Sequence, residues 1–296
     1  GAYGTPVYLP DGRGIETTGL ALAPSFKEGK FNTCPNSASC RQTCLGKTAG
    51  GYFYAGGGSN LDEFKGPRRN SLNKTLAMLR QPKEFAVRLF EEINQAKRLA
   101  EANNNHLGVR LNVLSDLNPR IHRAIIEAHP DVSFYDYTKN NTNPIAPNHH
   151  YTYSSTGVSD EEVNNPYSNW KQMRKRLDNG DNVAMAFTSK TALPKEVHDE
   201  ETGKIYRVVN GDEHDFRPLD MQPTGEDGVI VGLKNKSMTT SEADAAKKSN
   251  GFFVKYDPQF ERDTENKANK NKLKRDEFGR PIATNHRATI RMQGEA

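Results

Sequence analysis

The chain has 296 residues, with 41 lysines and arginines against 37 acidic residues, so its formal net charge is +4 at pH 7. This length can bury a sizeable core, and the small positive charge permits contact with nucleic acid without demanding it. The sequence contains no apolar run long enough to cross a bilayer and no signal-peptide pattern. We therefore expect a cytoplasmic protein with no membrane association.

Apolar periodicity predicts strands that alternate with helices along most of the chain. The predicted strands are 18–23, 108–114, 132–137, 150–154, 182–187, 205–209 and 229–233. The predicted helices are 69–80, one that begins near Pro82, 120–128 and 169–177. Such alternation predicts an α/β fold with a partial or complete parallel βα barrel of the TIM type, and a doubly wound open sheet is the competing architecture.

The last 36 residues of the chain differ from the rest in composition. Residues 1–260 carry the periodic pattern and form the barrel-like domain in this prediction. Residues 261–296 are dense in charge and asparagine and have few apolar residues, which is typical of a solvated segment. We expect a charged, flexible C-terminal extension.

The three cysteines of the chain, Cys34, Cys40 and Cys44, lie together in the window CPNSASCRQTC. A disulfide would leave one thiol over, and inert buried cysteines would seldom crowd such a polar loop. Structural zinc would need a fourth ligand, whereas three thiolates can hold a [4Fe–4S] cluster with one iron left open. The histidines that could complete a zinc site are His106, His149, His150 and His214. Thiolates suit both metals, so the sequence predicts a shared metal centre and leaves zinc open as the alternative.

The cysteine window directly follows the first predicted strand, and barrel enzymes carry cofactor groups on loops of this kind. The stretches CPNSASCRQTCLGKTAG, RRNSLNKTL, VRLNVLSD and VSFYDYTK resemble the radical S-adenosylmethionine (SAM) superfamily, specifically a divergent phage-encoded branch. The resemblance covers roughly the first half of the chain. It implies that the three cysteines hold a [4Fe–4S] cluster whose open iron binds SAM. The usual spacing in that superfamily is C-x3-C-x2-C, and both gaps are longer here.

The resemblance also implies positions for the SAM contacts. The stretch NVLSDLNP matches the segment that holds the amino group of SAM, and it offers Ser115 and Asp116. The alternative is that Asp116 or Asn118 caps the helix that follows. The stretch GVIVGLKN, with Gly228 and Gly232, is similar to the strand that contacts adenine, although any buried strand can contain these residues.

Three further residues are candidates for the substrate chemistry. Lys139 follows a predicted strand and is suited to bind a phosphate or carboxylate, although most exposed lysines have no such role. Asp212 and His214 belong to GDEHDFRPLD, in which carboxylates, a histidine and Arg217 could act as acid and base or form a charged turn. Polar residues at successive strand ends are typical of a site at one face of a barrel.

These features predict an enzyme that cleaves SAM reductively and abstracts hydrogen from an unidentified substrate, with an external electron donor. The basic tail and the phage resemblance favour a nucleotide or nucleic-acid substrate and action in the host cytoplasm. One alternative is a zinc-stabilised protein that binds nucleic acid through nonspecific phosphate contacts and has no redox chemistry. Another is hydrolytic or transferase chemistry around Asp212 and His214.

Overall fold

The computed structural model describes residues 6–37, 40, 44, 66–159, 164–236, 251–256, 258 and 289–290. The helices are α1 (Gly66–Arg80), α2 (Pro82–Ala102), α3 (Arg123–Ala128) and α4 (Trp170–Asp178). The strands are β1 (Gly14–Gly19), β2 (Lys27–Glu28), β3 (Phe31–Asn32), β4 (Asn105–Arg110), β5 (Ser133–Thr138), β6 (His149–Ser154), β7 (Val183–Ala186), β8 (Glu196–Asp199), β9 (Ile205–Asn210), β10 (Ile230–Leu233) and β11 (Thr289–Ile290). Two short 3-10 helices span Pro119–His122 and Arg217–Asp220.

Nine strands form one sheet in the order β1-β4-β5-β6-β7-β10-β9-β8-β11, while β2 and β3 form a separate antiparallel pair. Neighbouring strands in the large sheet are parallel, except for β8 and β9. From β1 to β10 the parallel strands follow one another in chain order, whereas a doubly wound sheet reverses this order. The α/β prediction is confirmed. The described strands give an open sheet that is compatible with a partial βα barrel and do not show a closed one.

The helices pack on one face of the sheet. Alternate residues of a strand point to opposite faces, and Leu107 and Val109 of β4 belong to the first core cluster together with Phe134 of β5. Helices α1, α2 and α3 contribute Met78, Leu89, Ile93, Ile125 and Ile126 to this cluster. A second cluster joins α4 to the next strands through Met173, Leu177, Val183, Met185 and Ile230. These two clusters form most of the hydrophobic core.

The opposite face is covered by the segment that contains the 3-10 helix Arg217–Asp220. A Cβ atom added to Gly108 would lie 2.7 Å from the ring of Phe216 and 3.1 Å from Tyr135. The rings of Tyr135 and Phe216 also meet edge to face, with centroids 5.3 Å apart. Phe216 therefore packs where β4 offers no side chain, and this holds the segment against the sheet.

The first strand differs from its prediction. The expected strand over 18–23 overlaps β1 only at its end, and Leu20 to Ala23 continue as buried chain beyond the strand. The backbone N–H of Ala23 donates to Thr75 Oγ1 of α1, and that of Leu20 donates to the carbonyl of Arg110. The apolar run thus lies between α1 and the sheet. The prediction that these residues are buried is confirmed, but the predicted bounds of the strand are wrong.

The C-terminal part of the chain is described only in part. Residues 261–288 and 291–296 lie outside the described residues, and β11 pairs with β8. The boundary at 260 and the flexible extension therefore stay predictions. Within the described residues, no helix combines the length and the apolar character that a membrane-spanning segment needs.

Candidate metal centre

The loop that leaves β1 is docked on the loop that leaves β4. The Cys34 thiol donates to the carbonyl oxygen of Leu114 at 3.6 Å, and the backbone N–H of Ser25 donates to the same sulfur at 3.4 Å. The backbone N–H of Asp116 donates to the carbonyl of Thr33 at 2.7 Å. These bonds place Cys34 at the carboxyl edge of the parallel sheet.

Asp116 joins the loops that leave β4 and β5. Its Oδ1 accepts from Thr138 Oγ1 at 2.7 Å and from Asn140 Nδ2 at 2.9 Å, and its Oδ2 accepts from the backbone N–H of Lys139 at 3.0 Å. Asn140 Oδ1 in turn accepts from Asn36 Nδ2 in the cysteine loop at 2.6 Å. Asp116 is only 8% exposed, so this buried carboxylate fixes the backbone of Lys139 beside the cysteines.

Lys139 interacts electrostatically with all three cysteines. Burial alone lowers the pKa of Lys139, but the negative charges of Cys40, Asp116, Cys34 and Cys44 outweigh it and raise that pKa. Burial also raises the pKa of the Cys34 thiol, and Asp116 and Cys40 act in the same direction. Because charge interactions of this kind decline with distance, Lys139 and the three cysteines belong to one electrostatic neighbourhood.

The donor set suits a three-thiolate centre. No disulfide joins the three cysteines, and thiolates are ligands that both iron–sulfur clusters and zinc accept. The neighbouring ammonium of Lys139 offsets part of the negative charge that three thiolates bring together. Among the residues that the structure describes, no three histidine, cysteine or acidic side chains converge in a metal-binding arrangement. The shared metal centre therefore stays a prediction, supported by ligand type and neighbourhood.

The histidines that could complete a zinc site lie elsewhere or have other partners. His106 is near the amino end of β4, and His149 and His150 begin β6. Parallel strands share their edges, so these three lie toward the edge opposite Cys34. His214 Nδ1 is 3.0 Å from Arg217 Nη2.

Ser115 and its neighbours form a buried hydrogen-bonded turn. Ser115 Oγ donates to Asn112 Oδ1 at 2.8 Å, and the backbone N–H of Asn112 donates to Asp136 Oδ1 at 2.7 Å. The cap of the next helix is Asn118, whose side chain accepts from the backbone N–H of Arg120. Ser115 thus supports the turn that presents Asp116, and Asn118 rather than Asp116 is the capping residue.

Sequence reasoning missed two members of this network, Asn112 and Asn140. Asn112 interrupts the apolar run VRLNVL, and a polar residue inside such a run is a signal for a buried hydrogen bond. Asn140 follows Lys139 directly at the end of β5, where side chains of a strand-end site are expected. Each asparagine could be recognised from its local sequence, but the sequence did not show which residue it would form a hydrogen bond with.

Gly228 and Gly232 have packing roles in the structure. Gly228 precedes β10 at the amino edge of the parallel sheet, away from the cysteine loop, and an added Cβ would overlap the backbone of Asp181. An added Cβ at Gly232 would lie 2.7 Å from Val208 Cγ1. Close packing therefore explains both glycines, and their contact with adenine stays a prediction.

The packing role of Gly228 predicts the result of a substitution. Gly228→Ala should lower the free energy of unfolding by about 1–3 kcal/mol, because the methyl group meets backbone that cannot rotate away. Urea denaturation of both proteins measures this difference. An unchanged stability together with weaker SAM binding would instead favour the cofactor role.

Asp212 and His214 take part in separate networks. Asp212 Oδ2 accepts from the backbone N–H of Lys234 at 3.1 Å, and its Oδ1 is 2.8 Å from Lys236 Nζ. These contacts join the segment that follows β9 to the segment that follows β10. Burial lowers the pKa of His214 and the charge of Arg217 lowers it further. The structure gives Asp212 a linking role, and it places His214 beside Arg217.

Removal of the Lys139 charge should change cysteine reactivity. The thiolate is the form that reacts with alkylating agents, and a nearby ammonium favours it. We expect Lys139→Met to slow alkylation of Cys34 about three- to tenfold at pH 8, as loss of one nearby charge implies. Peptide mass spectrometry after timed iodoacetamide treatment measures this rate. Lys171→Met, at an exposed position of α4, is the control, and an equal effect there would contradict the proximity.

Comparison with known proteins identifies the family. A family model described as Gene product 88 (GP88) matches residues 9–256, a range that includes the three cysteines and the residues around them. Comparison with the curated proteins and with the solved structures finds no match. The family description names a gene product and no activity, so the radical SAM resemblance stays a prediction. The chain belongs to the Gene product 88 family, a family of phage gene products.

Proposed function

We propose that this protein is a radical SAM-like enzyme with a [4Fe–4S] cluster on Cys34, Cys40 and Cys44. The observation that carries the proposal is the hydrogen bond from the Cys34 thiol to the loop after β4, which places this cysteine at the carboxyl edge of a parallel sheet. The substrate in this proposal is a nucleotide or nucleic acid, from which the enzyme abstracts hydrogen in the host cytoplasm.

The strand order supports this proposal. Parallel strands that follow one another in chain order, with helices on one face, are the arrangement of a partial βα barrel. Cofactor and catalytic groups of βα barrels sit on the loops beyond the carboxyl ends of the strands. In the proposed partial barrel, the cysteine loop after β1 occupies such a position.

The bound cluster supplies the one-electron reduction that cleaves SAM, with electrons from an external donor. The chain supplies three thiolates and a neighbouring cation, Lys139. Asp116 holds the backbone of Lys139, and its Oδ2 accepts one hydrogen bond from the described residues. A carboxylate oxygen can accept two hydrogen bonds, so this oxygen retains an acceptor position for the amino group of SAM.

The zinc alternative has less support. A structural zinc site needs four protein ligands. His106, His149 and His150 lie toward the amino edge of the sheet, and His214 contacts Arg217. The three thiols with an adjacent cation fit a centre in which the fourth position belongs to a bound small molecule.

Anaerobic purification of the full chain, followed by metal analysis, tests the proposal. After reconstitution with iron and sulfide we expect about four irons per chain and absorption near 400 nm, as a [4Fe–4S] cluster requires. The reduced protein should then convert SAM to 5′-deoxyadenosine and methionine, which chromatography measures. A colourless protein with one zinc per chain, or reduced protein that leaves SAM intact, would contradict the proposal.

A further inference from the structure

A second cluster of charged residues lies on the face of the sheet opposite α1, α2 and α3. The Arg110 guanidinium carbon is 5.0 Å from the centre of the Tyr137 ring, and both side chains share the face of Gly108. Burial raises the pKa of the Tyr137 hydroxyl to about 12, while Arg217 and Arg110 both act to lower it. Arg110 also donates to Asp215, two residues before Arg217, so the two arginines lie in one neighbourhood where the covering segment meets β4.

Both arginines have buried N–H groups that find no hydrogen-bond partner among the described residues. Arg217 is 3% exposed, and neither its Nε nor its Nη1 makes a hydrogen bond. Its Nη1 is 3.1 Å from Asp220 Oδ2 as an ion pair, but this contact lacks hydrogen-bond geometry. Arg110 Nε is also buried and unsatisfied. An unsatisfied buried donor costs about 1–3 kcal/mol, so the two Nε groups together indicate that an acceptor belongs in this place.

Among the described residues, the Nε groups of both arginines have no hydrogen-bond partner, whereas charged neighbours engage the Nη ends. Asp215 accepts from Arg110 Nη1 at 2.9 Å, and His214 contacts Arg217 Nη2, so both partners engage the Nη ends of the guanidinium groups. The Asp215 side chain is 48% exposed, so solvent reaches this end of the cluster. A ligand could enter there and meet donors that are already held in position.

We propose that Arg110 and Arg217 bind an oxyanion, a phosphate or a carboxylate, carried by a small-molecule ligand. Guanidinium groups present planar pairs of N–H donors that match the oxygen atoms of phosphate and carboxylate. The Tyr137 ring beside Arg110 adds an apolar wall for the part of the ligand that carries the anion. The identification of this ligand as the substrate rests on the proposed function. Arg110 is the last residue of β4, and the loop that follows β4 contacts Cys34, so the anion site lies near the proposed cluster.

Calorimetric titration of the full chain with inorganic phosphate and with sodium acetate tests the site. Both titrations use sodium chloride at the same ionic strength as the reference, because nonspecific attraction of anions depends on ionic strength. We expect saturable binding of at least one anion, and the anion that binds more tightly identifies the ligand group. Arg110→Gln and Arg217→Lys should each weaken this binding at least tenfold. Arg174→Gln removes an arginine that pairs with Asp199 and Glu201, and it should leave binding unchanged.

Two results would overturn the site. One is the absence of saturable binding of either anion by the wild-type protein, and the other is equal binding by the folded arginine variants. If a variant fails to fold, the wild-type melting temperature decides, since phosphate or acetate must raise it above the value in chloride. Iron content of the same proteins separates this proposal from the cluster, because anion binding requires no iron.

Discussion

Cys34→Ala should abolish the proposed metal centre. After anaerobic reconstitution we expect iron to fall from about four atoms per chain to fewer than about one, with loss of the absorption near 400 nm. The reason is that the chain contains three cysteines in all, so no other thiol can replace the missing ligand. Iron analysis and absorption spectra of the two proteins measure the loss.

The matched control for this variant is Ser37→Ala. Ser37 lies in the same loop, and its backbone N–H donates to the Cys34 carbonyl at 3.3 Å. This contact survives the substitution, so the control should keep its iron. A Cys34→Ala protein with full iron content would show that Cys34 is not a ligand. Retention of one zinc by the wild-type protein in place of iron would favour the structural zinc site.

The fold class was predictable because its signal is local. Strands such as Val183–Ala186 and Ile230–Leu233 are buried and contain mostly apolar residues, so they stand out between polar loops. The short strand Glu196–Asp199 carries charge at both ends and has no such pattern. Its pairing with β9 comes from contacts between separate segments, and no local sequence preference predicts it.

The sequence predicted which residues belong to the candidate site better than it predicted which of them contact one another. Cys34 and Lys139 were singled out from composition and strand-end position, and Asp116 was singled out from the radical SAM resemblance. The hydrogen bond between Asn36 and Asn140 joins residues 104 positions apart, and that between Asp116 and Asn140 spans 24 positions. The parallel register of β4 and β5 brings Asp116 and Asn140 together, and the contact between the cysteine loop and the loop after β4 brings Asn36 to them. A pattern within a single segment contains no such information.

The arginine cluster shows a different limit of prediction from the sequence. Arg110 lies in the apolar segment VRLNVL and was not singled out, because alternation in a strand shows that two faces exist but not which one is covered. The signal was present two residues earlier in Gly108, where the missing side chain leaves room for Phe216. A glycine inside a strand often marks such a close approach.

The buried carboxyl group of Asp136 supplies a pH dependence of stability. Asp136 is 2% exposed, and burial raises its pKa to about 7, although Arg110 and the hydrogen bonds from Asn112 act against this. Between its ordinary pKa and this raised value, the folded protein keeps a proton that the unfolded chain has lost. The free energy of unfolding should therefore fall as the pH rises from about 4 to about 7 and change little from this cause above that range.

Asp136→Asn should remove this dependence and stabilise the protein at pH 8. The amide oxygen can still accept from the backbone N–H of Asn112, and the neutral side chain avoids the cost of a buried charge. A pKa raised from 3.8 to about 7 corresponds to a gain on the order of 4 kcal/mol at pH 8. Urea denaturation at pH 5 and pH 8 should show the larger gain at pH 8. Asp227→Asn, at an exposed carboxylate, should change stability by less than about 1 kcal/mol at either pH. An Asp136→Asn protein that is equally destabilised at both pH values would show that Asp136 is ionised in the folded protein throughout this range.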